Sequence, residues 1–199
     1  VSEIAPERDL DGVEAARTSK RLHHHLIEWG IILVAALVVS IGLRTFAFQT
    51  FFIPSGSMEP TLEIGDRIIV DKLAVDWGTI HRGDILVFKS PPSENCGGDP
   101  VEDLVKRVIG LPGDRLYSLG NTIYVNSKPL KEAWSHTEPL GNPIASASDP
   151  VTVSPNHYFM MGDNHSDSCD SRMWGTITRS DVIGKAFFRV WPLSRLGFL

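Results

Sequence analysis

Leu104-Val-Lys-Arg-Val-Ile-Gly-Leu-Pro-Gly-Asp114 joins a strand-sized run of branched apolar residues to a tight cluster of turn formers. Alternation along a strand puts Lys106 on the face of Leu104 and Val108, and turns Arg107 the other way with Val105 and Ile109. One of the two charges is therefore expected to face a core. A lysine held among apolar side chains has its pKa lowered, because desolvation disfavours the ammonium, and the neutral amine can then take a proton. The competing arrangement is a solvated edge strand on which both charges meet water.

Runs of the same kind lie on both sides of this stretch. Asp66–Lys72, Asp84–Lys89, Thr122–Asn126 and His157–Met161 are short, rich in branched and aromatic residues, and bounded by Gly-Asp, Gly-Asn, Pro-Asn and Gly-Asp-Asn turns. Thirteen prolines and seventeen glycines, most of them after residue 53, suit strands joined by turns better than a helical bundle. The expected fold is mainly β, an antiparallel sheet system closed on itself or folded into a sandwich. Residues 90–101 and 132–150, rich in Pro, Ser, Gly and Asn, are expected to be long surface loops.

Upstream the character changes. Residues 1–25 are polar and mixed in charge, and read as a tail; three successive histidines, His23-His-His25, do not share a helix face and are read as juxtamembrane residues, not metal ligands. No charged residue occurs from Trp29 to Leu43, and Leu26 to Phe48 holds only Glu28 and Arg44. That length matches the roughly 20 residues of a membrane-crossing helix, so residues 26–48 are expected to be a transmembrane anchor and 49–199 a separate β domain. No small-residue cleavage motif follows, which argues against a cleaved leader. Arg17, Lys20 and Arg21 against the single Arg44 put the tail in the cytoplasm and the β domain on the extracytoplasmic face. A net charge of -5 without a dense Lys/Arg tract gives no footprint for nucleic acid, which is set aside as a partner.

Just past the apolar segment, Phe51-Phe-Ile-Pro-Ser-Gly-Ser-Met-Glu-Pro-Thr-Leu-Glu63 presents Ser57 on a turn. A serine hydroxyl needs a base to act as a nucleophile and donors to hold the oxyanion it creates. Lys106 is one candidate base. His81, His136, His157 and His165 are others, and Asp163 and Asp167 near His165 leave a Ser-His-Asp arrangement open. The loop Met161-Gly-Asp-Asn-His-Ser-Asp-Ser-Cys-Asp-Ser-Arg-Met-Trp-Gly175 has the oxygens of a calcium loop but not the EF-hand spacing, and is read as a set of supports for the lysine. Cys96 and Cys169 fall on the oxidising side of this topology, and spacing leaves open whether they pair.

Taken together, Pro54-Ser-Gly-Ser-Met-Glu-Pro-Thr-Leu62, Gly65-Asp-Arg-Ile-Ile-Val70, Lys106-Arg-Val-Ile-Gly-Leu-Pro-Gly-Asp114 and Gly162-Asp-Asn through Asp170-Ser-Arg-Met-Trp-Gly175 resemble the bacterial type I signal peptidases, from the anchor to residue 192. The resemblance implies a membrane-bound serine endopeptidase that removes signal peptides after Ala-X-Ala, with a mostly β catalytic domain related to the SOS-repressor proteases. It further implies Ser57 as nucleophile, Lys106 as general base, Ser55 and the Ser57 N–H as oxyanion donors, and Ser168 as the residue that orients the lysine. Ion pairs would join Arg107 to Asp163 and Asp170 to Arg172, and Ile53, Pro54 and Met58 would line the substrate pockets. Implied partners are preprotein signal peptides, membrane lipid and the secretion machinery, with no metal or cofactor. His165 and Ser166 depart from the Arg-Asp usual in the family, and Asp167 is expected to raise the lysine pKa. The alternatives are a self-cleaving or conjugation-type Ser/Lys peptidase, or a non-catalytic anchored β domain that binds exported chains.

Overall fold

The computed structural model describes residues 27–42, 47–76, 78–97, 101–134 and 139–199, in two compact units, Val1–Thr45 and Phe46–Leu199. In the first, residues 27–42 form α1, with large apolar side chains exposed along its length. Among the described residues no helix is long and apolar enough to cross a membrane. The tail, its histidine run and residues 43–46 lie outside the described set. Phe48, which the apolar pattern assigns to the end of the anchor, instead opens a strand: Phe48-Gln-Thr-Phe-Phe52 pairs residue for residue with Asp71 back to Arg67.

The second unit is mainly β and antiparallel throughout. Its strands are β1 (Phe48–Phe52), β2 (Arg67–Asp71), β3 (Ile85–Lys89), β4 (Asp103–Gly110), β5 (Arg115–Leu119), β6 (Thr122–Val125), β7 (Lys128–Pro129), β8 (Val151–Thr152), β9 (His157–Met161), β10 (Ile177–Thr178), β11 (Val182–Trp191) and β12 (Gly197–Phe198). The larger sheet runs β1-β2-β11-β3-β4-β9-β10, with β12 paired to β11; the smaller runs β7-β6-β5-β8. The larger sheet ends at β1 and β10 and so does not close on itself. Two short helices, α2 (Leu73–Asp76) and α3 (Ser171–Trp174), follow β2 and precede β10.

Burial follows the alternation of the strands. In β3, Leu86 and Phe88 enter one core with Val108, Met160 and Trp174, while Ile85 and Val87 enter a second with Ile68, Val70 and Ala186. A strand covered on both faces reads as a continuous apolar run, and Ile85-Leu-Val-Phe88 is one. A third core places Ile109, Phe159 and Met161 of the larger sheet against Leu116, Ile123 and Val153, so the smaller sheet packs on the back of the β4–β9 pair. The ten-residue β11 is absent from the runs picked out by composition, because Gly184 interrupts it. That glycine is required by close approach: a Cβ there would meet Val70 Cγ1 at 2.5 Å and the Asp71 carbonyl oxygen at 2.7 Å.

Gly110, the last residue of β4, is packed the same way: a Cβ would lie 2.5 Å from Leu116 Cδ1 and 2.8 Å from Phe159 Cβ. Gly110→Ala is expected to lower stability by about 1–3 kcal/mol, the usual cost of overpacking, measured by denaturant unfolding.

Candidate active site

β1 delivers the chain to the site and the core holds it there. After Phe52 the backbone leaves the strand pairing, and Ile53 exchanges hydrogen bonds with Asp66 and Gly65 across the loop. Ser55 and the turn Gly56–Met58 follow. Met58 and Leu62 are driven into the second core, and Leu62 N–H bonds the Met58 carbonyl at 2.8 Å. Ser57, immediately before Met58, is held by that burial and is itself only 9% exposed.

Lys106 comes from the middle of β4, opposite Leu86, on the face that the alternation assigns to it. It is 4% exposed, and its Nζ donates to Ser57 Oγ at 2.5 Å. Burial drives the amine down from the usual lysine range to about 8; Asp170, Asp163 and Asp167 pull the other way, and Arg172 assists the burial. Asp167 therefore acts in the direction foreseen from the sequence, but desolvation outweighs it. Such a lysine offers the serine a base: at pH 7 about one amine in ten is neutral, roughly 300-fold more than for a free lysine. The described histidines do not compete for Ser57. His81 faces Asp84, His157 bonds the Pro155 carbonyl and His165 faces Glu132; His136 lies outside the described residues.

Arg107 is buried as well as Lys106, so β4 carries two buried cations where the pattern calls for one. The second is tolerated because it is paired. Arg107 Nε and Nη2 meet Asp163 Oδ1 and Oδ2 at 2.8 and 2.6 Å, Nη1 donates to the Gly83 carbonyl at 2.7 Å, and the guanidinium lies 4.7 Å from the centre of the Trp134 ring. Thr61, just beyond the serine turn, donates to the same Asp163 carboxylate at 2.5 Å. Arg172 makes a second fork to Asp170 at 2.8 and 2.7 Å and also donates to the carbonyls of His165 and Leu140. Two aspartates of the polar loop are thus committed to arginines.

Gly162 marks the point where this loop meets the serine turn: a Cβ there would collide with the Ser57 carbonyl and the Ser168 side chain. Ser168 Oγ is buried and makes no hydrogen bond, so the bond to Lys106 expected of it is not formed. The Cys96–Cys169 disulfide, with Cα atoms 6.0 Å apart, ties the segment before β4 to the residue beside Ser168. Beside Ser57 and Lys106 opens a cavity of about 540 Å³, lined by Phe51–Ser55 and Met58 on one side and Val101 and Asp103–Val105 on the other. Ile53 and Met58 form its wall while also filling the core; Pro54 and Ser55 are exposed.

The buried partner of His165 is not foreshadowed by any motif. His165 Nε2 lies 3.6 Å from Glu132 Oε1, yet neither atom is hydrogen-bonded. Burial, then Asp163, raises Glu132 to about 7, and burial, then Arg172, lowers His165, so the contact is not a fixed ion pair.

A family model described as Signal peptidase, peptidase S26, matches residues 26–191. Among similar proteins are a probable signal peptidase I-2 of Synechocystis (39% identical, covering 87% of this chain and 77% of that one). Two others are called signal peptidase I, from Mycobacterium tuberculosis (35%; 98% and 84%) and Bacillus caldolyticus (37%; 82% and 90%). The chain belongs to the signal peptidase family, peptidase S26. It is a serine endopeptidase that cleaves signal peptides.

Because Glu132 has a raised pKa, the folded state favours its protonated form; that stability is full below the ordinary glutamate range and is lost as pH climbs through 7. Glu132→Gln is therefore expected to melt roughly 5 °C higher than the parent protein above pH 8, with the difference gone below about pH 4.

Proposed function

We propose that Ser57 is the nucleophile and Lys106 its general base. The observation that carries this reading is the hydrogen bond from a buried Lys106 to Ser57 Oγ, with burial lowering the amine to about 8. Lys106 takes the hydroxyl proton as Ser57 attacks the carbonyl of the small residue that precedes the cleaved bond. The protonated lysine then gives that proton to the leaving amine, and water, activated by the same amine, hydrolyses the acyl-enzyme. The Ser57 N–H and the Ser55 hydroxyl receive the oxyanion. Ser168 packs its side chain under the serine turn at Gly162 without bonding the amine. The Arg107–Asp163 and Asp170–Arg172 pairs hold the loop that frames the site. The mechanism uses no metal or cofactor.

The cavity beside the dyad accepts Ala-X-Ala, with Ile53, Pro54 and Met58 limiting the pockets to small side chains. The apolar segment from residue 26 up to β1 anchors the enzyme in the bacterial cytoplasmic membrane as a single span. The tail 1–25 faces the cytoplasm, and residues 49–199 act on the extracytoplasmic face, against lipid and beside the secretion machinery. Ser57 is nine residues beyond Phe48. At about 3.5 Å per extended residue the serine stays within roughly 30 Å of that point, the depth at which a signal peptide presents its cleavage site.

Ser57→Ala and Lys106→Ala are each expected to abolish cleavage of a preprotein, scored by sequencing the new N-terminus, while the far-UV spectrum stays native. Near-normal turnover by Lys106→Ala would sink the lysine assignment. Since only the neutral amine is a base, kcat/KM should rise about tenfold per pH unit below pH 7 and level off above about 8. Ser55→Ala should retain activity lowered by about 10² to 10³, the loss of one oxyanion donor.

A further inference from the structure

We infer that Asn164 is a positioning residue that sets the oxyanion-binding peptide of the Ser57 turn; this rests on the proposed roles of Ser57 and its N–H. The Gly56–Ser57 peptide has two ends. Its N–H is the backbone donor assigned to the oxyanion, and its carbonyl, in the same plane, points the opposite way. That carbonyl accepts from Glu59 N–H at 3.0 Å and from Asn164 Nδ2 at 3.3 Å. The next carbonyl, that of Ser57, accepts from the backbone N–H of Asn164 at 3.1 Å. Asn164 thus grips two consecutive peptides of the turn from the side away from the substrate.

An asparagine in this place ordinarily has other work. Asn164 is the N-cap residue of the turn His165–Asp167, where an Asn side chain usually satisfies a backbone N–H of its own helix. It makes no such cap bond; its amide reaches the serine turn, 108 residues earlier in the chain. Ser166 Oγ donates to Asn164 Oδ1 at 3.3 Å, which fixes the amide with its Nδ2 toward Gly56. The amide is not needed to close the serine turn, which already has Glu59 N–H on Gly56 and Leu62 N–H on Met58, with Met58 buried beneath it.

Two effects follow for the reaction. Rotation of the peptide, which would take the N–H out of the oxyanion site, must break the Nδ2 bond. A donor on the carbonyl also polarises the peptide and strengthens the N–H at its other end. Both act on the charge that exists only after attack, so they belong to the transition state and not to substrate binding.

The test uses the full chain in detergent with a preprotein substrate. Asn164→Ala is expected to lower kcat about tenfold, less than outright loss of an oxyanion donor, with KM within about twofold of the parent value. Asn164→Asp keeps the shape but cannot donate, and should lose at least as much; it decides the matter if the alanine variant does not fold. Affinity for a peptide aldehyde, which forms a tetrahedral adduct on Ser57, should fall by the same factor as kcat, while a non-cleavable peptide binds unchanged. Adding Ser166→Ala to Asn164→Ala should cost nothing further. Unchanged kcat in both Asn164 variants, or equal loss of affinity for the aldehyde and the non-cleavable peptide, overturns the inference. Ser57→Ala separates the two levels: if it stays active, the reading of the dyad falls; if it is inactive and Asn164→Asp is unimpaired, only the role of Asn164 falls.

Discussion

Lys106 Nζ sits beside Ser57 Oγ in a place that water hardly reaches, with a pKa lowered to about 8 by that burial. Holding an ammonium there costs on the order of 3 kcal/mol relative to water, and the one hydrogen bond of the amine among the described residues goes to Ser57. Of the three aspartates that act on the amine, Asp163 and Asp170 are each matched by an arginine. Were either carboxylate to bond the lysine, the amine would stay charged and cease to be a base. Much of the polar loop is explained by this requirement.

The two arginine forks also solve a mechanical problem. The serine turn and the loop after β9 are about a hundred residues apart, and the chemistry needs them within hydrogen-bonding distance. Asp163 receives Arg107 from β4 and Thr61 from beyond the serine turn, so one carboxylate ties nucleophile segment, base strand and loop together. Gly162 allows the backbones to meet, and the disulfide from Cys96 to Cys169 holds the far side of the same loop. Arg172 extends the brace to the carbonyls of Leu140 and His165.

Much of this was legible in the sequence, for definite reasons. Alternation within Leu104–Ile109 assigned opposite faces to Lys106 and Arg107, and the sheet keeps them so. What alternation could not tell is that both faces of β4 are covered: whether Arg107 meets water depends on β9 and on Trp134, which arrive from elsewhere in the chain. β1 was hidden because Phe48-Gln-Thr-Phe-Phe52 continues an apolar segment, and β11 because a glycine needed for close packing looks like a breaker. The free hydroxyl of Ser168 and the Glu132–His165 contact had no local signal at all.

By itself the sequence determined the antiparallel β character of the domain, the serine on its turn, the lysine on its strand and the charge pairs of the loop. The first three follow from periodicity and side-chain chemistry, which are properties of neighbours along the chain; the charge pairs were legible only through the resemblance to a family. Only the tertiary structure decided that the lysine, and none of the described histidines, faces the serine, that Cys96 and Cys169 meet, and that Asn164 turns its amide onto the Gly56 carbonyl. Those outcomes depend on distances between segments fifty to a hundred residues apart, and such distances are set by the packing of three cores, not by any stretch of sequence alone.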